Sequence, residues 1–186
     1  MQGKSHLITG VATAVTVFDV NMLVNHVEVP NFFSKGWQIV CDYLFEYPSL
    51  PKIVVIAISI ALYLLGLLLP DIDTPYSTLG KIICIPFIEH RTWTHAIWIP
   101  VGLGIVSIWF RPIMFLAFGM LVHDFFDSFS MSGIKPFYPA KFEIGIPIYK
   151  VGTIMETLLV IITIIVSVFV TLGSLQHIYH FVNITI

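Results

Sequence analysis

Charge is scarce in this chain. Only 11% of its 186 residues are Asp, Glu, Lys or Arg, whereas 57% are hydrophobic; an average soluble domain carries roughly 25% charged residues. So few charges cannot solvate a folded surface, and the composition predicts an integral membrane protein. The nine Lys and Arg are scattered and the formal net charge is −2. That leaves no basic run to follow a nucleic-acid backbone, and nucleic acid is not an expected partner. Cysteine is nearly missing as well. Cys41 and Cys84 stand alone, without the spacing of a thiolate metal site, and read as apolar filler. There is no internal repeat and no low-complexity tract. The first apolar stretch holds His6 and Asp19 and lacks a small-residue cleavage pattern, so the N-terminus is expected to be retained. The length suits a single domain over residues 1–186.

The apolar residues are gathered into segments. Residues 53–69 form an almost unbroken run between Pro51 and Pro70, close to the roughly 20 residues that cross a bilayer. Residues 153–175 form another, rich in β-branched side chains. Residues 96–110 and 112–129, joined at Arg111-Pro112, predict a helical hairpin. Residues 6–24 carry Thr9, Thr13, Thr16 and Asp19, which suits a helix packed against others rather than one facing lipid all round. The expected fold is therefore all-α, a polytopic bundle of about five transmembrane helices. An interfacial amphipathic helix is expected over residues 30–47, whose Phe32, Phe33, Trp37 and Tyr43 suit the headgroup layer. Stretches 74–91 and 130–152 read as Gly- and Pro-punctuated loops. With the N-terminus inside, Lys4, Lys81, Arg91, Lys135, Lys141 and Lys150 are cytoplasmic and Lys35, Lys52 and Arg111 are outside. This follows the positive-inside bias.

In that threading, the ionisable residues at the segment ends all fall on one side: His6, Asp71, Asp73, His90, His95, His123, Asp127 and Glu156. Each costs on the order of 2.5–3.5 kcal/mol at membrane depth. A divalent metal would offset that cost. His123 and Asp127 lie one helical turn apart on one face and make a workable ligand pair, although HxxxD alone also reads as a buried hydrogen bond between helices. Asp124 is rotated away and is a candidate supporting partner or points elsewhere. Asp71 and Asp73 follow Pro70, where extended backbone sends alternate side chains to the same side; the alternative is a solvated helix end. Acids at a helix C-terminus oppose the macrodipole, so this end calls for a cation.

His90-Arg91-Thr92-Trp93-Thr94-His95 is the densest constellation. The planar fork of Arg91 suits a phosphate, with Thr94 and His90 as further substrate-binding candidates; the alternative is a basic anchor with a helix cap at Thr94. Glu156 also reads as an acid favoured by its helix N-terminus. His26, His177 and His180 fall on the opposite face and are excluded. Mixed imidazole and carboxylate ligands suit Zn²⁺, Mn²⁺ or Fe, with Mg²⁺ a further candidate, and eight donors exceed the four that one zinc takes. Two or three ions are expected, with Zn²⁺ foremost. Asp73, Glu156 and Arg91 are the catalytic candidates, an acid taking a proton from the attacking water while Arg91 holds the phosphate.

The motifs occur in a telling order: His6 with Gly10, Leu69-Pro70-Asp71-Ile72-Asp73, Ser77, His90-Arg91-x-x-Thr94-His95, Gly119-x-x-x-His123-x-x-x-Asp127, then Gly133, Pro136 and Pro139. This order resembles the YdjM-like family of bacterial and archaeal membrane-bound metal-dependent hydrolases. Thr92 and Ala96 depart from the family's usual Gly and Ser but leave the ligands intact. More distantly, the spacing is similar to the zinc-dependent phospholipase C and single-strand nuclease superfamily. The resemblance implies a hydrolase of the prokaryotic plasma membrane that cleaves a phosphoester of a lipid or lipid-linked substrate. Two other readings stand beside it: a divalent-cation or proton transporter, and a non-catalytic protein whose metal ties its helices together.

Overall fold

A computed structural model describes residues 3–26, 50–83, 85 and 89–184. Among these residues there are five α-helices and no strand. We label them α1 (Gly3–His26), α2 (Lys52–Gly66), α3 (Trp98–Val106), α4 (Ile113–Asp127) and α5 (Ile154–Ile184). Two 3-10 turns, Leu69–Asp73 and Trp93–His95, carry the acidic and histidine motifs. The interfacial helix expected over residues 30–47 lies outside the described residues, as do Cys41 and Cys84. α5 runs on through His177 and His180, which the sequence placed beyond the last segment.

α5 is apolar on all sides, and Ile154, Leu158, Ile162, Val168 and Phe169 stand exposed along it. Such a helix is stable only against lipid or a large core. Over Ile154–Ser174 it is, among the described residues, the one helix both long and apolar enough to cross a membrane. α2 is apolar but has 15 residues. α3 is shorter than its expected segment: nine residues rise about 13 Å, well under the roughly 30 Å of a hydrocarbon core. It starts only after the Trp93–His95 turn, with Pro100 in its first turn, and gives way to turns from Ser107, where the apolar run of residues 96–110 promised a longer element.

Two helix pairs organise the molecule. α1 packs along α5 through small and hydroxyl side chains, with Thr9, Ala12, Ser167 and Ser174 all buried. The Thr171 hydroxyl donates to the Asp19 carboxylate, and Ser174 donates to the Asp19 carbonyl at 3.2 Å. α2 crosses α4 at Gly66 and Gly119. A Cβ on Gly119 would overlap the Tyr63 carbonyl and stand 3.0 Å from the Gly66 Cα, so both positions require glycine for the backbones to touch. Tyr63, Leu67, Val122, Phe126 and Tyr149 form the apolar cluster beneath this crossing. The Tyr63 hydroxyl donates to the Gly10 carbonyl at 2.8 Å, tying α1 to the same point.

Residues 128–152 fold back over the C-terminal end of α4. Ile134 pairs with Ile144, the Met131 N–H donates to the Tyr149 carbonyl at 2.9 Å, and the Tyr149 hydroxyl reaches the Phe126 carbonyl at 2.9 Å. The Ile97 N–H donates to the Pro136 carbonyl at 2.9 Å, joining this loop to the turn that carries His95.

Gly119→Val is expected to destabilise the protein by about 1–3 kcal/mol, through overpacking at the α2–α4 crossing. Gly102→Ala, at a position with open space around it, should leave stability unchanged or slightly raised. Thermal unfolding in detergent, followed by circular dichroism, distinguishes the two.

Candidate metal centre

The glycine crossing decides where His123 sits. Because α2 and α4 touch at Gly66 and Gly119, the Leu67 carbonyl just past the end of α2 lies 2.8 Å from His123 Nδ1. A carbonyl only accepts, so Nδ1 carries the ring proton and donates it. The lone pair is left on Nε2. That atom is fully buried, makes no hydrogen bond, and lies 3.6 Å from Asp71 Oδ1 and 3.9 Å from Asp127 Oδ2.

His95 is set in the same way by a different route. The Thr94 hydroxyl donates to Asp73 Oδ2 at 2.7 Å, which leaves its oxygen to accept from His95 Nδ1 at 3.0 Å. The proton is again on Nδ1. His95 Nε2, also buried without a hydrogen bond, lies 3.6 Å from Asp127 Oδ2 and 4.0 Å from Asp71 Oδ1. Two imidazole lone pairs therefore face two carboxylates, and these donor atoms all lie within 4.8 Å of one another. Apart from the Arg91 guanidinium, 3.1 Å from Asp127 Oδ2, no positive charge among the described residues offsets the repulsion between these lone pairs and ionised carboxylates. Tetrahedral zinc, with bonds of about 2.0–2.1 Å, spaces its donors by about 3.3 Å, tighter than the 3.6–4.0 Å between these imidazoles and carboxylates. The donor set fits a divalent metal, and Asp71, His95, His123 and Asp127 can hold one.

The remaining expected residues surround these four. His6 stacks on His123 with ring centroids 3.7 Å apart, and its Nε2 lies 3.2 Å from Asp127 Oδ1. Asp73 does not share a side with Asp71. The motif forms a 3-10 turn instead of extended backbone, so residues two apart no longer align, and the two carboxylates flank His95 from different directions. Asp73 Oδ1 accepts from His90 Nδ1 at 2.8 Å, and Asp73, His90 and His95 form a second group with metal-holding spacing. Arg91 turns inward: Nη2 lies 3.1 Å from Asp127 Oδ2, while Nη1 donates to Ser130 Oγ at 2.9 Å and to the Gly133 carbonyl at 3.1 Å. Its backbone sits at φ 65°, a left-handed conformation that costs a non-glycine residue about 1–2 kcal/mol. The three guanidinium contacts offset that strain. Thr94 is buried and does not cap α3, whose N-cap is Ile97.

Glu156 is buried but lies outside both ligand groups. Its carboxylate accepts the Gly152 N–H at 2.6 Å, closing the start of α5, as its helix-terminus reading allowed. Asp124, beside His123, is buried with Oδ1 lacking a hydrogen-bond partner. Three supports went unseen in the sequence: the Leu67 carbonyl, Ser130 and Tyr149. A backbone acceptor leaves no trace in side-chain identity, and Ser130 becomes meaningful only once Arg91 is known to reach it. Ser77, part of the motif order, donates to the Asp71 carbonyl at 2.7 Å and accepts the Gly80 N–H at 2.8 Å, which holds the acidic turn in place.

Charge follows from these contacts. Burial pushes the Asp71 carboxyl above its usual range, while His123 nearby pulls the other way. Burial opposes ionisation of Asp73 too, but the hydrogen bonds from His90 and Thr94 outweigh it and hold that carboxyl below its usual range. Burial holds His95 neutral into acid, despite the pull of Asp127. With the imidazoles neutral, the carboxylates of Asp71, Asp73 and Asp127 exceed the single Arg91 guanidinium by the charge a divalent cation carries.

Comparison with known proteins places the chain in a membrane protein family. The family profile of the YdjM inner membrane protein matches residues 1–184, which makes the chain a member of that family. A Bacillus subtilis (strain 168) protein, described as uncharacterized protein YvsG, is 27% identical over 105 residues, a stretch equal to 50% of this chain and 65% of that protein. The chain thus spans somewhat less than two thirds of that relative's length. No solved structure matches the chain.

Thr94→Val should weaken metal binding about 10–100-fold, by releasing the His95 tautomer, while leaving the final stoichiometry unchanged. Competition with a chromogenic chelator measures this. Metal uptake should also fall as the pH drops, because Asp71 and both imidazoles donate only when unprotonated. Asp71, raised by burial, takes up its proton above the ordinary aspartate value of about 3.9.

Proposed function

We propose that this chain, which belongs to the YdjM inner membrane protein family, is a metal-dependent hydrolase embedded in the membrane that cleaves a phosphoester of a lipid or lipid-linked substrate. The observation that carries the reading is the convergence of His95 Nε2 and His123 Nε2 on Asp71 and Asp127, all at 3.6–4.0 Å. On this reading α1, α2, α4 and α5 thread the bilayer, α3 being too short to span it alone, and the N-terminus and the centre lie on the cytoplasmic side.

A bound divalent cation, with Zn²⁺ the best match to two imidazoles and two carboxylates, supplies Lewis acidity toward a phosphoryl oxygen and makes a nearby water more acidic. The protein's own groups do the rest. The Leu67 carbonyl and the Asp73–Thr94 pair keep the His123 and His95 lone pairs directed at the centre. Arg91 holds Asp127 in place and brings a permanent positive charge to the site. His90 is the group best placed to exchange protons with a substrate. Its side chain is 40% exposed and its Nδ1 is engaged by Asp73, which orients the ring and leaves Nε2 for acid–base work. Asp73, held below the usual carboxyl range, is a weak base and acts by orienting His90 and His95. Asp73 and Glu156 then serve as positioning residues.

A second reading rests on one observation: the side chains of His95 and His123 are 0% exposed. Closure of that kind suits a structural metal that ties α2, α4 and the Trp93–His95 turn together.

Purified protein incubated with mixed membrane lipids should release phosphate or a phosphorylated headgroup only when divalent metal is present. His90→Gln should then lower turnover by about 10²–10⁴-fold with metal content intact, whereas Asp71→Ala should lose metal and turnover together. Metal retention without release from any lipid favours the structural reading.

A further inference from the structure

Residues 131–151 present a surface that water does not explain. Met131, Phe142, Ile146 and Ile148 are each at least half exposed, at 64%, 56%, 51% and 50%. Trp98, whose indole N–H donates to the Tyr138 carbonyl at 3.1 Å, adds another half-exposed aromatic at 55%. So many exposed large apolar side chains in one short segment mark an interaction site. Its chemistry is mixed in a particular way. Lys135, Lys141 and Lys150 are interleaved with the apolar side chains against a single acid, Glu143. Lys135 also lies 3.9 Å from the exposed Glu89.

The surface is continuous with lipid-facing structure. It leads directly into Ile154, 79% exposed at the start of the one clear spanning helix. Its other side is fastened to the metal centre, since Arg91 binds both Ser130 and Gly133 while also holding Asp127. Apolar side chains among lysines, at the end of a spanning helix, match the boundary between acyl chains and anionic headgroups.

We propose that residues 131–151 lie in the headgroup layer of an anionic bilayer, with the apolar side chains in the acyl boundary and the three lysines on lipid phosphates. This seats the metal centre behind a loop that concentrates anionic lipid. The placement holds whether the centre is catalytic or structural, so its test needs no turnover.

The test uses the full chain with Cys41→Ser and Cys84→Ser, carrying Phe142→Cys labelled with a nitroxide, in nanodiscs of phosphatidylcholine with or without phosphatidylglycerol. Metal content equal to that of the unlabelled protein serves as the folding control. Collisional relaxation by oxygen should exceed that by a water-soluble nickel chelate several-fold. The label should sit deeper when phosphatidylglycerol is present, and the combined Lys135→Gln, Lys141→Gln and Lys150→Gln variant should lose that dependence. A label as open to the nickel chelate as one in bulk water overturns the proposal. So does immersion that ignores both phosphatidylglycerol and the lysine substitutions, which would leave only apolar burial. Spin–spin broadening that vanishes on dilution with unlabelled chain overturns it in favour of contact between two copies.

Discussion

Everything at the centre follows from two ring protons. His123 Nδ1–H donates to the Leu67 carbonyl, and His95 Nδ1–H donates to the oxygen of Thr94, whose own hydroxyl proton goes to Asp73. Each imidazole is thereby obliged to present its Nε2 lone pair to Asp71 and Asp127. Lone pairs and carboxylates at 3.6–4.0 Å repel one another inside a protein, where little water screens them. A cation placed among them would turn that repulsion into attraction. Filling such a site would stabilise the fold, which would link metal affinity to stability.

The helices serve this arrangement. Glycine at positions 66 and 119 lets α2 and α4 meet backbone to backbone, and only that closeness brings the Leu67 carbonyl within reach of His123. Pro70 and the 3-10 turn then end α2 where Asp71 must stand. From the other direction, the folded-back loop of residues 128–152 fixes Arg91 through Ser130 and Gly133, and Arg91 fixes Asp127. Asp127 is the hub: His6 approaches one of its oxygens, while Arg91, His95 and His123 approach the other. The same loop exposes Met131, Phe142, Ile146 and Ile148, so one segment joins an apolar surface to the candidate metal centre.

Much of this was legible before any coordinates. The scarcity of charge pointed to the membrane, the apolar runs located helices, and the ordered motifs brought Asp71, His95, His123 and Asp127 forward together. What stayed hidden has physical causes. Hydropathy cannot show that α3, set between the Trp93–His95 turn and the turns from Ser107, has only nine residues. Alternation predicted Asp71 and Asp73 on one side, but a 3-10 turn has another period and separated them. Arg91 looked free to hold a substrate phosphate, yet long-range contacts with Ser130, Gly133 and Asp127 engage it inside the fold. Glu156 illustrates the same limit, because an acid in the first turn of a helix serves its own terminus as readily as a distant metal.

The central claim is that His95 and His123 share one cation with Asp71 and Asp127. X-ray absorption at the metal edge, on protein purified from membranes without added metal, tests it directly. The account predicts stoichiometric divalent metal with two imidazole scatterers and a light-atom shell at about 2.0–2.1 Å, and loss of that signal in His123→Ala. Metal at background level, or a bound metal without imidazole scattering, contradicts it.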